Sequence, residues 1–345
     1  MGLIDLRSDT VTLPTPAMRE AMYRAELGDD VFGEDPTVNR LQEIAAERLG
    51  KEAALFVPSG TMGNLVAMLS HCGRGEGVIM GDQSHTFTSE AGGAAALGGL
   101  YLRMVPNQPD GTLDPAQVEA AIPSEDIHHP HIALLCLENT HNYCGGTVLS
   151  PDYMVQAAMV ARRHGMALHL DGARIFNAAV ALGVRVRELA AQADSVMFCL
   201  SKGLCAPVGS MLCGSAGFIT KARATRKIVG GGMRQAGVLA AAGIVALEQM
   251  VNRLQEDHDN ARFLAEGIAG TPGLDVDLRR VQTDIVFFNV TDRRISAPEL
   301  AAALEKDGVL IMAFSSTRMR AVTHQGIERA DVERALQAMR RAMNH

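Results

Sequence analysis

With 345 residues, the chain exceeds the usual size of one compact core, so a large domain with a smaller companion is expected. Its 47% hydrophobic and 21% charged residues exclude a disordered or fibrous protein. A net charge of -7 with dispersed basic residues leaves no electrostatic footprint for nucleic acid or an anionic membrane, and neither is expected as a partner.

In chain order, Thr15-Pro16 reads as an N-cap followed by a proline in the first helical turn, opening a helix to about residue 27. Asp35-Pro36 repeats the signal for a helix with Val38, Leu41, Ile44 and Ala45 on one face, which Gly50 stops. From residue 54 strand and helix signals alternate. Strands are predicted at 54–57, 77–81, 101–105, 132–137, 167–170, 195–200 and 209–213, and helices at 61–71, 88–97, 115–122, 151–164 and 174–182. Apolar runs without strict alternation predict strands covered on both faces. The fold class is therefore α/β, a mainly parallel seven-stranded sheet with helices on both faces. No helix fits between 195–200 and 209–213, so one antiparallel member is expected. A long helix at 235–268 follows. Residues 285–290, 300–304, 309–313, 320–323 and 332–343 then predict strand, helix, strand, strand and helix of a small α+β domain. The expected division is a large domain over 1–250, including the N-terminal segment, and a small C-terminal domain over 251–345. Six cysteines without a CxxC pair read as reduced thiols. Neither a signal peptide nor an apolar run long enough to cross a bilayer is evident, so a cytoplasmic location is expected.

Several strand ends carry chemistry. The run 195–200 delivers Ser201-Lys202-Gly203, and a lysine there is a candidate amine nucleophile toward a carbonyl carbon, although a surface cap is the commoner role. Ser59-Gly60-Thr61 would place backbone N–H groups at a helix N-terminus, where a phosphate is favoured; a plain strand-to-helix cap would use the same residues. No GK[ST] follows, so this is not a Walker loop. Asp171 ends another strand and can pair with a protonated pyridine nitrogen, with Arg174 on the same loop near the ring's phenolic oxygen; an Asp–Arg structural pair is the alternative. His85, in the loop after a third strand, can stack on a planar ring or relay a proton. The run His128-His129-Pro130-His131 invites a metal reading, but no second cluster has ligand spacing, and no metal site is predicted. Arg226 or Lys227, beside Gly230-Gly231-Gly232, would contact a phosphate, even across a subunit interface. On the last strand, Arg318 and Arg320 are candidates to clamp a carboxylate bidentately.

Taken together, these segments resemble the low-specificity L-threonine aldolases, fold-type I enzymes dependent on pyridoxal phosphate. The resemblance spans almost the whole chain: DLRSDTVT at 5–12, GDDVFGEDP at 28–36, PSGTMGN at 58–64, LENTHN at 137–142, HLDGARIFNA at 169–178, LSKGLCAPVGS at 200–210, GGGMRQAG at 230–237 and RAVTH at 320–324. It implies that the large domain binds pyridoxal 5'-phosphate, with Lys202 as the Schiff-base lysine, Asp171 on the pyridine nitrogen, His85 stacked on the ring and Arg174 near its phenolic oxygen. Gly60 and Thr61 would hold the phosphate, helped by Lys227 from a neighbouring subunit. Ser8, Arg174 and Arg320 would fix the amino-acid carboxylate, with His128 near the substrate hydroxyl.

The activity so implied is cleavage of L-threonine, L-allo-threonine and related β-hydroxy-α-amino acids to glycine and an aldehyde. A water held by His85 and His128 is expected to take the hydroxyl proton. A homotetramer built as a dimer of dimers, and a structural cation near the cofactor loops in some members, also belong to the family pattern. Three positions depart from it. Phe32 stands where tyrosine is frequent, Ser89 where some members carry an aromatic residue, and the chain is slightly longer around 315–319, which keeps Arg318 as a second candidate clamp. β-Elimination or transamination on the same scaffold, and a cofactor-binding regulator without turnover, are the competing readings.

Overall fold

The computed structural model describes residues 2–124 and 126–344. Its central sheet has seven strands in the order Ala53–Val57, Ser210–Gly214, Ser195–Cys199, Ala167–Asp171, Ile132–Glu138, Gly77–Gly81 and Tyr101–Val105. Six run parallel, and Ser210–Gly214 alone runs against its two neighbours. The expected α/β class and the antiparallel member in the close pair are both present. Gly77–Gly81, Ser195–Cys199 and Ser210–Gly214 are buried at every position, as strands covered on both faces must be.

Successive side chains feed opposite cores. Ala54, Phe56, Val196 and Phe198 join the larger one with the helices Pro36–Leu49, Pro151–Arg163 and Ile175–Leu182. Leu55, Val57, Met197 and Cys199 face the helices Gly60–His71 and Ala216–Ile228. Asp35 caps Pro36–Leu49 by accepting from the amides of Thr37 and Val38, and it also accepts from Gly28 and Gly237, so one carboxylate fixes three segments.

Two helices differ from the pattern. The stretch predicted at 88–97 is instead two single-turn helices, His85–Thr88 and Gly93–Ala96. Between them Ala91 (φ 52) and Gly92 (φ 67) take left-handed conformations that turn Glu90 inward. The long helix predicted at 235–268 breaks: Gly237–Val245 passes through a π-turn at Ala246–Met250, and Leu254–Ala269 leaves at 67°. The break lets Leu254 stay in the larger core while Ala261, Leu264 and Ile268 enter another.

That other core lies under a four-stranded antiparallel sheet in the order Met312–Ala313, Arg318–Val322, Ile285–Val290 and Leu274–Asp275, covered by the helices Ala297–Lys306 and Arg329–Met343. The N-terminus belongs here too, because Ile4–Asp5 pairs in parallel with Val309–Leu310 and buries Ile4 and Leu6 in this core. The expected division at residue 250 placed this strand with the large domain; its apolar face is covered only by the C-terminal layer. Among the described residues, no single helix is long and apolar enough to cross a membrane.

Candidate active site

Parallel strands put their carboxyl ends on one edge, where the following loops converge. Asp171 ends its strand there, fully buried. Its Oδ2 accepts from Asn64 Nδ2 at 2.9 Å, and its Oδ1 from the Ala173 amide at 3.0 Å. The same Asn64 nitrogen donates to Glu90 Oε1 at 2.8 Å, and Glu90 Oε1 lies 3.0 Å from His85 Nδ1. Glu138, at the end of the adjacent strand, accepts from the amides of His85 (2.7 Å) and Asn142 (2.8 Å). Burial, and then the Glu138 and Glu90 carboxylates, push the Asp171 carboxyl up to about 6, against the opposing pull of His85 and Lys202. The hydrogen bond to Glu90 outweighs burial and raises the His85 imidazole above its ordinary value. Three buried carboxylates thus face two basic side chains, an environment that favours a further cation.

The tautomers behind this cluster follow from Asn64. Its nitrogen donates to two carboxylates, so Oδ1 faces His169 Nε2 (3.1 Å) as acceptor, and His169 must carry its proton on Nε2. His169 Nδ1 then accepts from Ser195 Oγ (2.8 Å), whose remaining partner, His71 Nε2 (2.8 Å), donates. Burial lowers His169 to about 3 and His71 to about 4, which keeps both rings neutral.

Lys202 follows the strand Ser195–Cys199 in a turn and is half-buried. Its carbonyl accepts from Thr12 Oγ1 (2.9 Å) and the Cys205 amide (2.8 Å), while its Nζ makes no hydrogen bond to a described residue. Cys205 closes the turn with φ 66, a left-handed conformation that costs a β-carbon-bearing residue about 1 kcal/mol and is held by the surrounding core. The helix Gly60–His71 starts at the same edge, with Ser59 Oγ accepting from the Met62 amide. The amides of Gly60 and Thr61 precede that of Gly63, the first to donate within the helix, and lie at the open end. A Cβ at Gly60 would come within 2.9 Å of Cys199 Sγ, so the close approach of this helix end to the strand bearing Lys202 requires glycine.

Four arginines separate in role. Arg174 is buried and bonded bidentately to Asp9, Nε to Oδ2 and Nη2 to Oδ1 at 2.7 Å each. The partner of Arg174 is therefore Asp9 from the N-terminal segment, not Asp171, and only its remaining N–H groups can meet a ligand. Burial alone would raise the Asp9 carboxyl; Arg174 outweighs it and holds Asp9 well below the usual range. Asp9→Asn is expected to leave the guanidinium only the more distant Asp284 carboxylate, 4.0 Å away, and to cost about 3 kcal/mol, read as a lower denaturant midpoint at pH 7. The contribution is present above about pH 4 and disappears as pH falls through the depressed folded value.

Arg320 is 7% exposed and pairs with no carboxylate among the described residues. It donates to Asn142 Oδ1 (2.9 Å) and the Arg7 carbonyl (3.0 Å), lies 4.9 Å from the Phe314 ring, and leaves Nε with no partner. Burial, then Arg174, lowers it to about 10. Arg318, two residues away on the same face, donates instead to the Tyr143 carbonyl and lies over Phe287, so it is turned away from Arg320's partners. Arg226 is bound by Asp30 Oδ2 and the Phe56 carbonyl at 2.6 Å each and is structural, whereas Lys227 beside it is exposed.

Ser8 is half-buried, caps the short turn Asp9–Val11 and adjoins the Arg174 partner. His128 is exposed in the loop before the strand Ile132–Glu138, at its amino end; Glu138 at the other end lies about 20 Å away, so within one chain His128 does not reach the cluster. Phe32 is 75% exposed. Ser89 Oγ lies 3.3 Å from Tyr143 Oη, so a tyrosine from another loop occupies part of the space a bulky residue there would take. Glu90, Asn64, Glu138 and Asp9 were not among the sequence candidates. An amide or carboxylate inside an apolar helix or strand pattern is the signal that could have found Asn64 and Glu138; Asp9 and Glu90 carry no such signal.

The chemistry of the donor set fits a phosphorylated pyridine aldehyde. A buried carboxylate awaits a ring N–H, a lysine amine stands unbonded, free amides open a helix, and a buried guanidinium lacks its anion. His85, Glu90 and Asp171 also bring ligand atoms within 4.8 Å of one another. The Asn64 amide points its N–H groups between the two carboxylates, an arrangement suited to a hydrogen-bonded cation rather than to a metal ion.

A family model described as beta-eliminating lyase matches residues 5–293. The low-specificity L-threonine aldolase 1 of Arabidopsis thaliana is 50% identical, over 99% of this chain and 97% of that protein. The low specificity L-threonine aldolase of Escherichia coli K12 is also 50% identical, over 95% of each. Among solved structures, a threonine aldolase of Leishmania major superposes with a TM-score of 0.84 at 21% identity, covering 99% of both chains. A match of this extent defines the class of the fold. The chain belongs to the beta-eliminating lyase family, among its low-specificity L-threonine aldolases.

Proposed function

We propose that this protein is a carbon–carbon lyase that cleaves L-threonine, L-allo-threonine and related β-hydroxy-α-amino acids to glycine and an aldehyde, acetaldehyde from threonine, using pyridoxal 5'-phosphate. The observation that carries it is the buried Arg320, without a carboxylate partner, which shares the neighbouring Asp9 carboxylate with the unbonded amine of Lys202. Lys202 would hold the cofactor covalently, Asp171 would take its ring nitrogen, His85 would lie on the ring, and Gly60 and Thr61 would take the phosphate. When bound, the cofactor supplies an electron sink for the pair released as Cα–Cβ breaks.

The chain's own residues orient and move protons. Arg320 fixes the substrate carboxylate with its unpaired N–H groups, assisted by the remaining donors of Arg174 and by Ser8, and this sets which bond at Cα is held for cleavage. His85 donates Nδ1–H to Glu90, which leaves Nε2 as the acceptor for the β-hydroxyl proton through a water. His128 can join that water only from a second chain, and Lys227 would help to hold the phosphate from a neighbouring subunit; the reading takes a homotetramer, a dimer of dimers, from the family pattern. Six buried free cysteines accord with a cytoplasmic home.

The base must be neutral, so cleavage should rise as pH increases through the raised His85 value. Glu90→Gln removes the cause of that rise, and the acidic limb of kcat/KM is expected to move to lower pH. An unmoved limb would remove His85 as the base. The activity itself is tested by product analysis with threonine. Glycine and acetaldehyde are expected in equal amounts; a 2-oxo acid with ammonia would identify elimination, and cofactor binding without turnover a regulator.

A further inference from the structure

A second charged cleft shares no lining residue with the cluster around Lys202. It encloses about 330 Å³ between the loop containing Tyr143 and Cys144 and the outer face of the four-stranded sheet, which contributes Phe287 and Arg318, with Arg280 on the connection before it. Arg318 donates Nη2–H to the Tyr143 carbonyl at 2.9 Å, and Arg280 donates to the next carbonyl, Cys144, at 2.9 Å and to Pro109 at 2.8 Å. Successive carbonyls therefore fix two guanidinium groups on one wall, and the Phe287 ring, 4.0 Å from the Arg318 carbon, fixes the plane of one of them.

Neither cation has a carboxylate within 4 Å among the described residues. Of the two acids on the lining, Asp277 is bonded to Arg279 and reaches Arg280 only at longer range, and Asp275 is exposed. Arg318 is half-buried, and burial followed by the nearness of Arg280 lowers its affinity for its own proton. Two like charges held on one wall by neutral carbonyls, one of them half-buried, are electrostatically incomplete, and an anion bridging them would be stabilised by both forks. Arg318 is absorbed by no step at the catalytic edge, where Arg320 occupies the corresponding role.

We propose that this cleft is a second small-molecule site, which takes the carboxylate or phosphate group of a small metabolite between Arg280 and Arg318. The ligand would bridge the Tyr143–Cys144 loop to the four-stranded sheet, and so link the two cores from a position outside the substrate pocket.

The test is isothermal titration of the cofactor-loaded protein with inorganic phosphate and, separately, with acetate, each against chloride at equal ionic strength. Saturable binding of at least one of them is expected, one site per chain, weakened about tenfold or more by Arg318→Met and by Arg280→Met and absent in the double variant. Which probe binds tells a phosphate source from a carboxylate one. Protection of Arg280 and Arg318 in the wild type from phenylglyoxal by the binding anion, read by peptide mass, gives the same answer without depending on how the variants fold. No saturable binding of either anion, binding undiminished in a folded double variant, or no protection of these two arginines would overturn the proposal.

Discussion

Replacing Lys202 by alanine is expected to remove threonine cleavage by more than about 10³-fold while leaving the fold intact. The expectation rests on where the residue sits. The turn after the strand Ser195–Cys199 is fixed by the Lys202 carbonyl, which accepts from Thr12 and Cys205 through backbone oxygen that alanine retains. The side chain makes no hydrogen bond to a described residue and belongs to none of the buried apolar clusters, so its loss should change the denaturant midpoint by no more than about 0.5 kcal/mol. A large loss of activity without loss of stability separates a chemical role from a structural one. A variant with wild-type turnover, measured as acetaldehyde release, would leave the lysine as a strand-end cap.

The second large effect is expected at Arg320. Arg320→Met should lower kcat/KM for threonine by on the order of 10²–10³-fold, because removing one partner of a buried, hydrogen-bonded ion pair costs about 3–4 kcal/mol. Arg320→Lys should recover only a small part, since an ammonium cannot present the planar fork that a carboxylate meets bidentately. In the free protein the same substitution relieves a buried guanidinium whose Nε has no partner, so Arg320→Met should be no less stable than the wild type. Arg318→Met, two residues away on the same face, should change kcat/KM by less than about threefold, because its guanidinium is turned to the Tyr143 carbonyl. Parallel kinetics and thermal melts of the three variants check this. A loss at Arg318 that matched the loss at Arg320 would assign the clamp wrongly.

Much of the sheet was legible from sequence because its strands are apolar on both faces and bounded by glycine, serine or proline, so that period and length agree. The strand ends then place Asp171, Lys202 and the Gly60 helix on one edge by topology alone. The helix predicted at 88–97 failed where the site begins: Ala91 in a left-handed conformation carries no sequence signal, yet it is what turns Glu90 toward His85 and Asn64. The break near 246–250 was also hidden, since a continuous apolar pattern serves equally a helix that stays in one core and one that passes between two. Long-range partners were out of reach for a different reason. Asp9 and Arg174 are separated by 165 positions, and nothing local distinguishes an aspartate that meets an arginine from one that meets water. His128 shows the converse, a residue named by motif that one chain leaves on the far edge of the sheet.

The central claim is that Lys202 carries pyridoxal phosphate at this edge. Borohydride reduction of the purified, cofactor-loaded protein, followed by peptide mass mapping, tests it most directly. The account predicts the reduced cofactor on the peptide containing Lys202 and none in Lys202→Ala; label on another lysine such as Lys51, Lys221 or Lys227, or no label at all, would contradict it.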